Sequence, residues 1–200
     1  MGYPRILEEL VSYLRKLPGV GDKTAERLAL SLIEQKQEDL NSLSTLLKDL
    51  QKNLHKCCVC GHLSDEEICM ICDSEARDKN CICVVEDYKS IFMFERVGSY
   101  KGVYHVLDGL ISPIDGVTPD DINISSLVER VKDKQEELEV IIALKPSIEG
   151  ETTTLYIKKI LEKYKVCVSR LSYGIPMNVE IDYLDSLTLE RALKDRKEVA

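Results

Sequence analysis

Four cysteines, Cys57, Cys60, Cys69 and Cys72, stand in the spacing Cys-x2-Cys-x8-Cys-x2-Cys. Each Cys-x2-Cys pair fits one tight turn, and two such turns facing each other supply four thiolates in the tetrahedral set that zinc prefers. Gly61, just after Cys60, gives the first turn a residue that tolerates positive φ. The spacing therefore predicts a small metal-stapled module. The competing readings are reduced thiols or two disulfides, and disulfides are disfavoured in a chain that reads as cytosolic, without a leader peptide. His62 is an alternative ligand. Four thiolates leave no coordination position for a substrate, so the expected metal is structural, and in zinc-finger peptides such a site contributes roughly 10–16 kcal/mol. Cys58, Cys81, Cys83 and Cys167 lack the spacing and read as small core residues.

A chain of 200 residues holds one medium domain or two or three small ones. The net charge of −8 argues against a strongly basic nucleic-acid coat, and the absence of Trp argues against gripping single strands mainly by base stacking. Charge is local, however. Residues 1–56 carry nine Lys/Arg against eight Asp/Glu, whereas residues 57–78 set Arg77 alone against six acids. Any DNA contact should come from the first segment, reinforced by assembly. No run of 18 apolar residues is present, so no membrane-spanning helix is expected.

Apolar periodicity predicts a helix over 5–17 (Ile6, Leu7, Leu10, Val11, Leu14, Leu17) and a second with Ala25, Leu28, Ala29, Leu32 and Ile33 inward. A third is expected over about 42–54, with Leu43, Leu46, Leu47, Leu50 and Leu54 on one face. From Cys81 the pattern changes to strand–helix alternation. Strands are expected at 81–85, 103–107, 140–144 and 166–171, and helices at 91–97, 124–131, 151–164 and 187–193. Continuous apolar strands separated by helices predict a mainly parallel sheet covered on both faces.

Between the first two helices lies Leu17-Pro18-Gly19-Val20-Gly21-Asp22-Lys23-Thr24. A phosphate-binding loop of the Gly-x4-Gly-Lys kind is not matched: Lys23 does not directly follow a glycine, and the segment follows a helix instead of a strand. The segment reads as a helix-hairpin-helix, with a plain helical corner as the alternative. Gly19 and Gly21 let the backbone approach a phosphate, and the free amides opening the second helix form an anion site. Lys23 and Arg27, four apart, share its face. Such a hairpin contacts phosphates rather than bases, so binding should be sequence-independent and salt-sensitive.

In the α/β half, Glu86 ends the first strand, where a metal ligand or general base could stand. Asp108 follows the second strand. After the third, Lys145-Pro146-Ser147 replaces the Asp-x-Asp that a two-metal phosphoryl-transfer site would need, and Lys145 would repel a cation. Glu149 and Glu151 open a helix, where acids are favoured by the dipole. Three readings stay open for these acids: a two-metal site, an acidic partner-binding surface, or solvated carboxylates.

The order of hairpin, four-cysteine module and Ile82-Cys83-Val84-Val85-Glu86 strand resembles the bacterial recombination-mediator family RecR. Lys101-Gly102-Val103-Tyr104-His105-Val106-Leu107, Ser112-Pro113-Ile114-Asp115-Gly116-Val117, Glu149-Gly150-Glu151, Gly174-Ile175-Pro176 and Thr188-Leu189 extend the match over essentially the whole chain. The resemblance implies an α+β multidomain protein. Its parts would be a helix-hairpin-helix region at 1–54, a four-cysteine zinc finger at 55–78, a Toprim domain at 79–172 that has lost its enzyme chemistry, and an assembly tail at 173–200. It further implies a bacterial cytoplasmic, nucleoid-associated protein forming dimers and ring-shaped tetramers. Gly19, Gly21, Lys23 and Arg27 would face DNA, and Glu86, Glu149 and Glu151 would receive RecO. With RecO, and RecF where that exists, such proteins help load RecA on gapped or single-stranded DNA. The alternative function is a Toprim-type nuclease or primase using Glu86, with Asp108. The sequence departs from the family pattern at Lys145 (usually Asn), at Ser90 (often Asp) and at Met177-Asn178-Val179, where two glycines are usual.

Overall fold

The computed structural model describes residues 2–132, 137–172, 174–175 and 178–196. The chain divides into two compact units, Met1–Leu54 and His55–Ala200.

The first unit is helical. Helix α1 (Arg5–Leu14) packs on α2 (Asp22–Ile33), and α3 (Gln37–Asn53) follows. Among the described residues of these helices, only Leu7, Ala25 and Ala29 are buried. Small alanines at Ala25 and Ala29, one turn apart, let the first two helices approach closely. The first helix stops at Leu14 rather than continuing to 17, because Leu17 and Pro18 lead into the turn closed by the Val20 amide on the Leu17 carbonyl (3.1 Å). The third helix starts at Gln37, five residues before the expected position. Glu38 and Asp39 sit in its first turn, where the helix dipole favours acids. Leu28 and Ile33, expected inward, are exposed on α2; Leu43, Leu46, Leu47 and Leu50 of α3 and its C-cap Leu54 are exposed too. Their periodicity formed the helices, but within one chain those faces meet no covering surface among the described residues.

The second unit begins with a two-stranded antiparallel ribbon, β1 (His55–Lys56) with β2 (Leu63–Ser64), and the one-turn helix α4 (Met70–Asp73). Cys57 and Cys60 lie in the turn between β1 and β2, Cys69 is the N-cap of α4 and Cys72 lies within it; these short elements were not visible in the apolar pattern. A parallel sheet follows, ordered β4 (Gly102–Val106), β3 (Asp78–Val85), β5 (Leu138–Ala143), β6 (Val166–Arg170). The end of β3, from Ile82 to Val85, is wholly buried because this strand lies inside the sheet with both faces covered. On one face Ile82, Val84, Val103, Val140 and Ile142 pack against α6 (Ile124–Lys132) and α7 (Ile148–Leu161) through Leu127, Val131, Ile157 and Leu161. On the other, Cys83, Val85, Tyr104 and Val106 pack against Ile91 of α5 (Tyr88–Val97) and the cysteine module. Each large apolar side chain among them contributes roughly 1.5–3 kcal/mol on burial. Of the four remaining cysteines only Cys83 is buried; Cys58 and Cys167 are exposed and Cys81 is intermediate, so three of them are not the core residues expected. Cys167 faces solvent because β6 is an edge strand and its side chains alternate between faces.

The last described helix is α8 (Ser186–Lys194), capped by Asp185, whose carboxylate accepts from the Thr188 amide at 2.9 Å. Asn178 has a left-handed φ of 64°. Pro176 and Met177 of the tail motifs lie outside the described residues.

Candidate functional site

Three groups of predicted residues occupy distinct places. Around the cysteines, the ligand sulfurs of Cys57, Cys60, Cys69 and Cys72 all lie within 4.8 Å of one another. Among the described residues no other His, Cys, Asp or Glu group of three or more converges in this way. The Cys57 amide donates to the His62 carbonyl at 2.7 Å, and the Cys69 amide donates to the Cys57 sulfur at 3.2 Å, as thiolate acceptors require. Thiol hydrogen bonding within the group pushes Cys60 up and holds Cys69 down, and four thiolates this close would repel one another without a cation. A soft divalent ion removes that conflict, and an all-sulfur tetrad is the donor set of structural zinc. His62 is not brought into the tetrad: its backbone amide donates to the Cys60 sulfur at 3.4 Å, while its buried ring sits edge-on against Phe92.

In the hairpin, Gly19 has φ of +80°, where a side chain would be strained. Gly21 does not: its φ of −82° and ψ of 176° are open to any residue, and it serves as the N-cap of α2. No side chain caps that helix, so its first-turn amides are left for water or an anion. Lys23 and Arg27 are both exposed, line one shallow depression with Glu26, Leu30, Ser31 and Glu34, and form no ion pair among the described residues. Asp22 would oppose a phosphate at the helix start, but Arg15 binds it at 2.7 Å. Sequence reasoning missed Arg15. Its only signal was a cation seven residues before the lone acid of the turn.

The sheet's crossovers reverse between β3 and β5, and in open α/β sheets ligands bind at the carboxyl ends of strands at such a reversal. Glu86 and Lys145 follow those two ends. Here the Lys145 ammonium donates to Glu86 Oε1 at 3.0 Å, and the carboxylate holds the lysine above its usual range. The geometry of that contact comes from the first turn of α7. Ser147 caps it, accepting from the Gly150 amide at 3.2 Å, and the Ser147 amide donates to the Lys145 carbonyl at 2.9 Å. A Cβ on Gly150 would lie 2.0 Å from that carbonyl, so only glycine fits. Asp87 is committed as the N-cap of α5. Asp108, with φ of 63°, accepts from Lys56 at 2.6 Å and from Asn123 at 2.7 Å. A Toprim fold implies a divalent cation at these acids, and the residues present do not fit one: Glu86 and Asp108 each already carry a lysine. Glu149 forms no ion pair among the described residues, and its contact with Ser147 lowers its carboxyl. Glu151 accepts from two arginines, Arg191 at 2.9 Å and Arg170 at 3.3 Å. The sequence offered no sign of the first contact, since 40 residues separate Glu151 from Arg191.

A four-cysteine module packed on a Toprim-like parallel sheet, with a helical hairpin in the other unit, defines a helix-hairpin-helix/Toprim protein. The comparisons agree segment by segment: residues 80–172 match the Toprim domain, 7–50 match the description "RecR, helix-hairpin-helix", and 174–197 match "RecR, C-terminal". The chain is 41% identical over 199 residues to "Recombination protein RecR" of Staphylococcus haemolyticus (strain JCSC1435). It is 42% identical to the proteins of that name in Staphylococcus aureus strains MRSA252 and JH9, with all of each chain covered in every case. It belongs to the RecR family.

Proposed function

We propose that this chain is a non-enzymatic mediator of recombinational DNA repair that holds DNA by its backbone and recruits RecO, with RecF where present, to help load RecA on gapped or single-stranded DNA. The carrying observation is the uncapped start of α2 beside two cations, Lys23 and Arg27, that no carboxylate among the described residues engages in an ion pair. Each protomer then neutralises few phosphates, and affinity comes from several hairpins acting together in a dimer or ring-shaped tetramer. The bare leucine face of α3 supports self-association. Zinc, one per chain, holds the cysteine module, and Glu86, Glu149 and Glu151 form the acidic face that RecO meets. Among the described residues no helix is long and apolar enough to cross a membrane. A recombination role in bacteria puts the site of action in the cytoplasm, at the nucleoid.

Lys23→Glu combined with Arg27→Glu is expected to abolish DNA binding at moderate salt. Removing the two cations should lower the slope of log K against log salt by roughly 1.5 per bound protomer, from about 0.7–0.9 per phosphate contact. Binding equal to wild type, with the same slope, would remove the hairpin from the argument. Turnover of labelled single-stranded or nicked DNA with magnesium or manganese, lost in Glu86→Gln, would favour the nuclease or primase reading. The lysines on Glu86 and Asp108 speak against it.

A further inference from the structure

We propose that Arg15 is a positioning residue for DNA binding: it clamps the Asp22 carboxylate against the end of the first helix, which leaves Lys23 and Arg27 free to meet a backbone phosphate. This rests on the reading of Lys23 and Arg27 as the DNA contacts.

From Asp22 to Arg27 the second helix carries two acids, Asp22 and Glu26, and two cations, Lys23 and Arg27, a sum of zero. A hairpin with no net charge has little to offer a polyanion. Arg15 changes that sum. Its Nε lies 2.7 Å from Asp22 Oδ1, and three cations against two acids leave the hairpin positive. Asp22 is close enough to matter. Arg27 stands about 7.5 Å further along the helix axis, at about 1.5 Å per residue, and screening at physiological salt acts over about 8 Å. An unpaired Asp22 would therefore oppose a phosphate held by either cation. The carboxylate is also drawn aside. Asp22 and Arg15 line a depression with Val11 and Ser12 of α1, whereas Lys23 and Arg27 line a different one with Leu30 and Ser31; Glu26 borders both. Backbone, not the ion pair, places Arg15. It is the C-cap of α1, its amide donates to the Val11 carbonyl at 3.0 Å, and α1 packs on α2, where Leu7, Ala25 and Ala29 are buried. The paired side chains are 56% and 66% exposed, so the contact adds little to that packing and can be removed from either side without unfolding the hairpin.

The test is a double-mutant cycle on the full chain with zinc bound. Affinity for a labelled oligothymidine is measured at moderate salt, with amide exchange in α1 and α2 as the control for folding. Arg15→Ala should weaken binding roughly two- to fivefold per engaged hairpin, the effect of one unit charge at this range in water. Arg15→Lys should restore most of the loss. Asp22→Asn should tighten binding by a similar factor. A purely structural clasp would be broken by either substitution and would weaken binding in both, so unchanged or weaker binding in Asp22→Asn overturns the proposal. In the Asp22→Asn background, Arg15→Ala should change affinity less than about twofold. A loss there as large as in wild type would make Arg15 an independent phosphate contact, which also overturns it. Lys23→Glu with Arg27→Glu separates the two readings. If that variant binds as wild type does, the hairpin assignment fails. If it loses binding while the Arg15 and Asp22 variants do not diverge, the role of Arg15 alone fails.

Discussion

His105 should make the sheet acid-sensitive by an amount that the structure sets. The imidazole is 1% exposed on β4. Its Nε2 lies 2.7 Å from the Asn123 carbonyl and its Nδ1 lies 3.2 Å from an Arg130 Nη1 that also donates to the Tyr104 carbonyl. Only the neutral tautomer with the proton on Nε2 satisfies both contacts, because Arg130 can only donate. Burial pushes the ring down to about 4, with Arg130 adding to the effect while the Asn123 carbonyl and Asp108 oppose it. In the unfolded chain it titrates at about 6.5. Below that value the unfolded state takes up a proton that the folded state refuses, so stability falls as pH drops from about 6.5 towards 4 and is unaffected above. At roughly 1.4 kcal/mol per pH unit, the loss reaches about 2.5 kcal/mol by pH 4.5. Urea unfolding of wild type and His105→Gln, both with the same zinc excess, isolates this from acid loss of metal. The stability advantage of wild type should shrink by about 2.5 kcal/mol between pH 7.5 and 4.5. Parallel curves for the two proteins would show that the ring titrates alike folded and unfolded, and the account of Arg130 and Asn123 would be wrong.

Metal analysis of freshly purified protein should find about one zinc per chain. Cys60→Ser should lose most of it, with amide protection over 57–72 disappearing in proportion. Gly150→Ala places a methyl 2.0 Å from the Lys145 carbonyl, so the α7 turn must move. We expect a loss of more than about 2 kcal/mol in unfolding free energy and displacement of the Lys145 signal from Glu86 by NMR. A neutral Gly150→Ala variant would mean that the turn is not needed to set that pair.

The parts of the fold written into local pattern were legible: four apolar strand runs, their intervening helices, and a convergent four-cysteine module marked by cysteine spacing alone. What sequence could not show was which strands lie next to each other, and therefore which side chains meet. Lys145 was recognisable as hostile to a cation, but not as the partner of Glu86, 59 residues away, because that requires knowing that β3 and β5 are neighbours. The same gap hid the Arg191 contact with Glu151. The inward assignment of Leu28 and Ile33 failed for a different reason: periodicity reports that a face is apolar, not that the same chain covers it, and the exposed α3 leucines show the same. Gly21 shows the limit of reading glycines by type, since its backbone angles are ordinary and Gly19 bears the left-handed turn.

The cysteine knuckle also guards the sheet. Strand β4 is an outer strand, yet the Val106 amide is taken by the Cys60 carbonyl at 2.8 Å, and Gly61 lies flat against Val106, where a Cβ would press to 3.2 Å. A knuckle that loosened on losing its ion would leave that amide open to an extended segment of another molecule. Removal of metal from the proposed zinc site would then be felt as stickiness between chains.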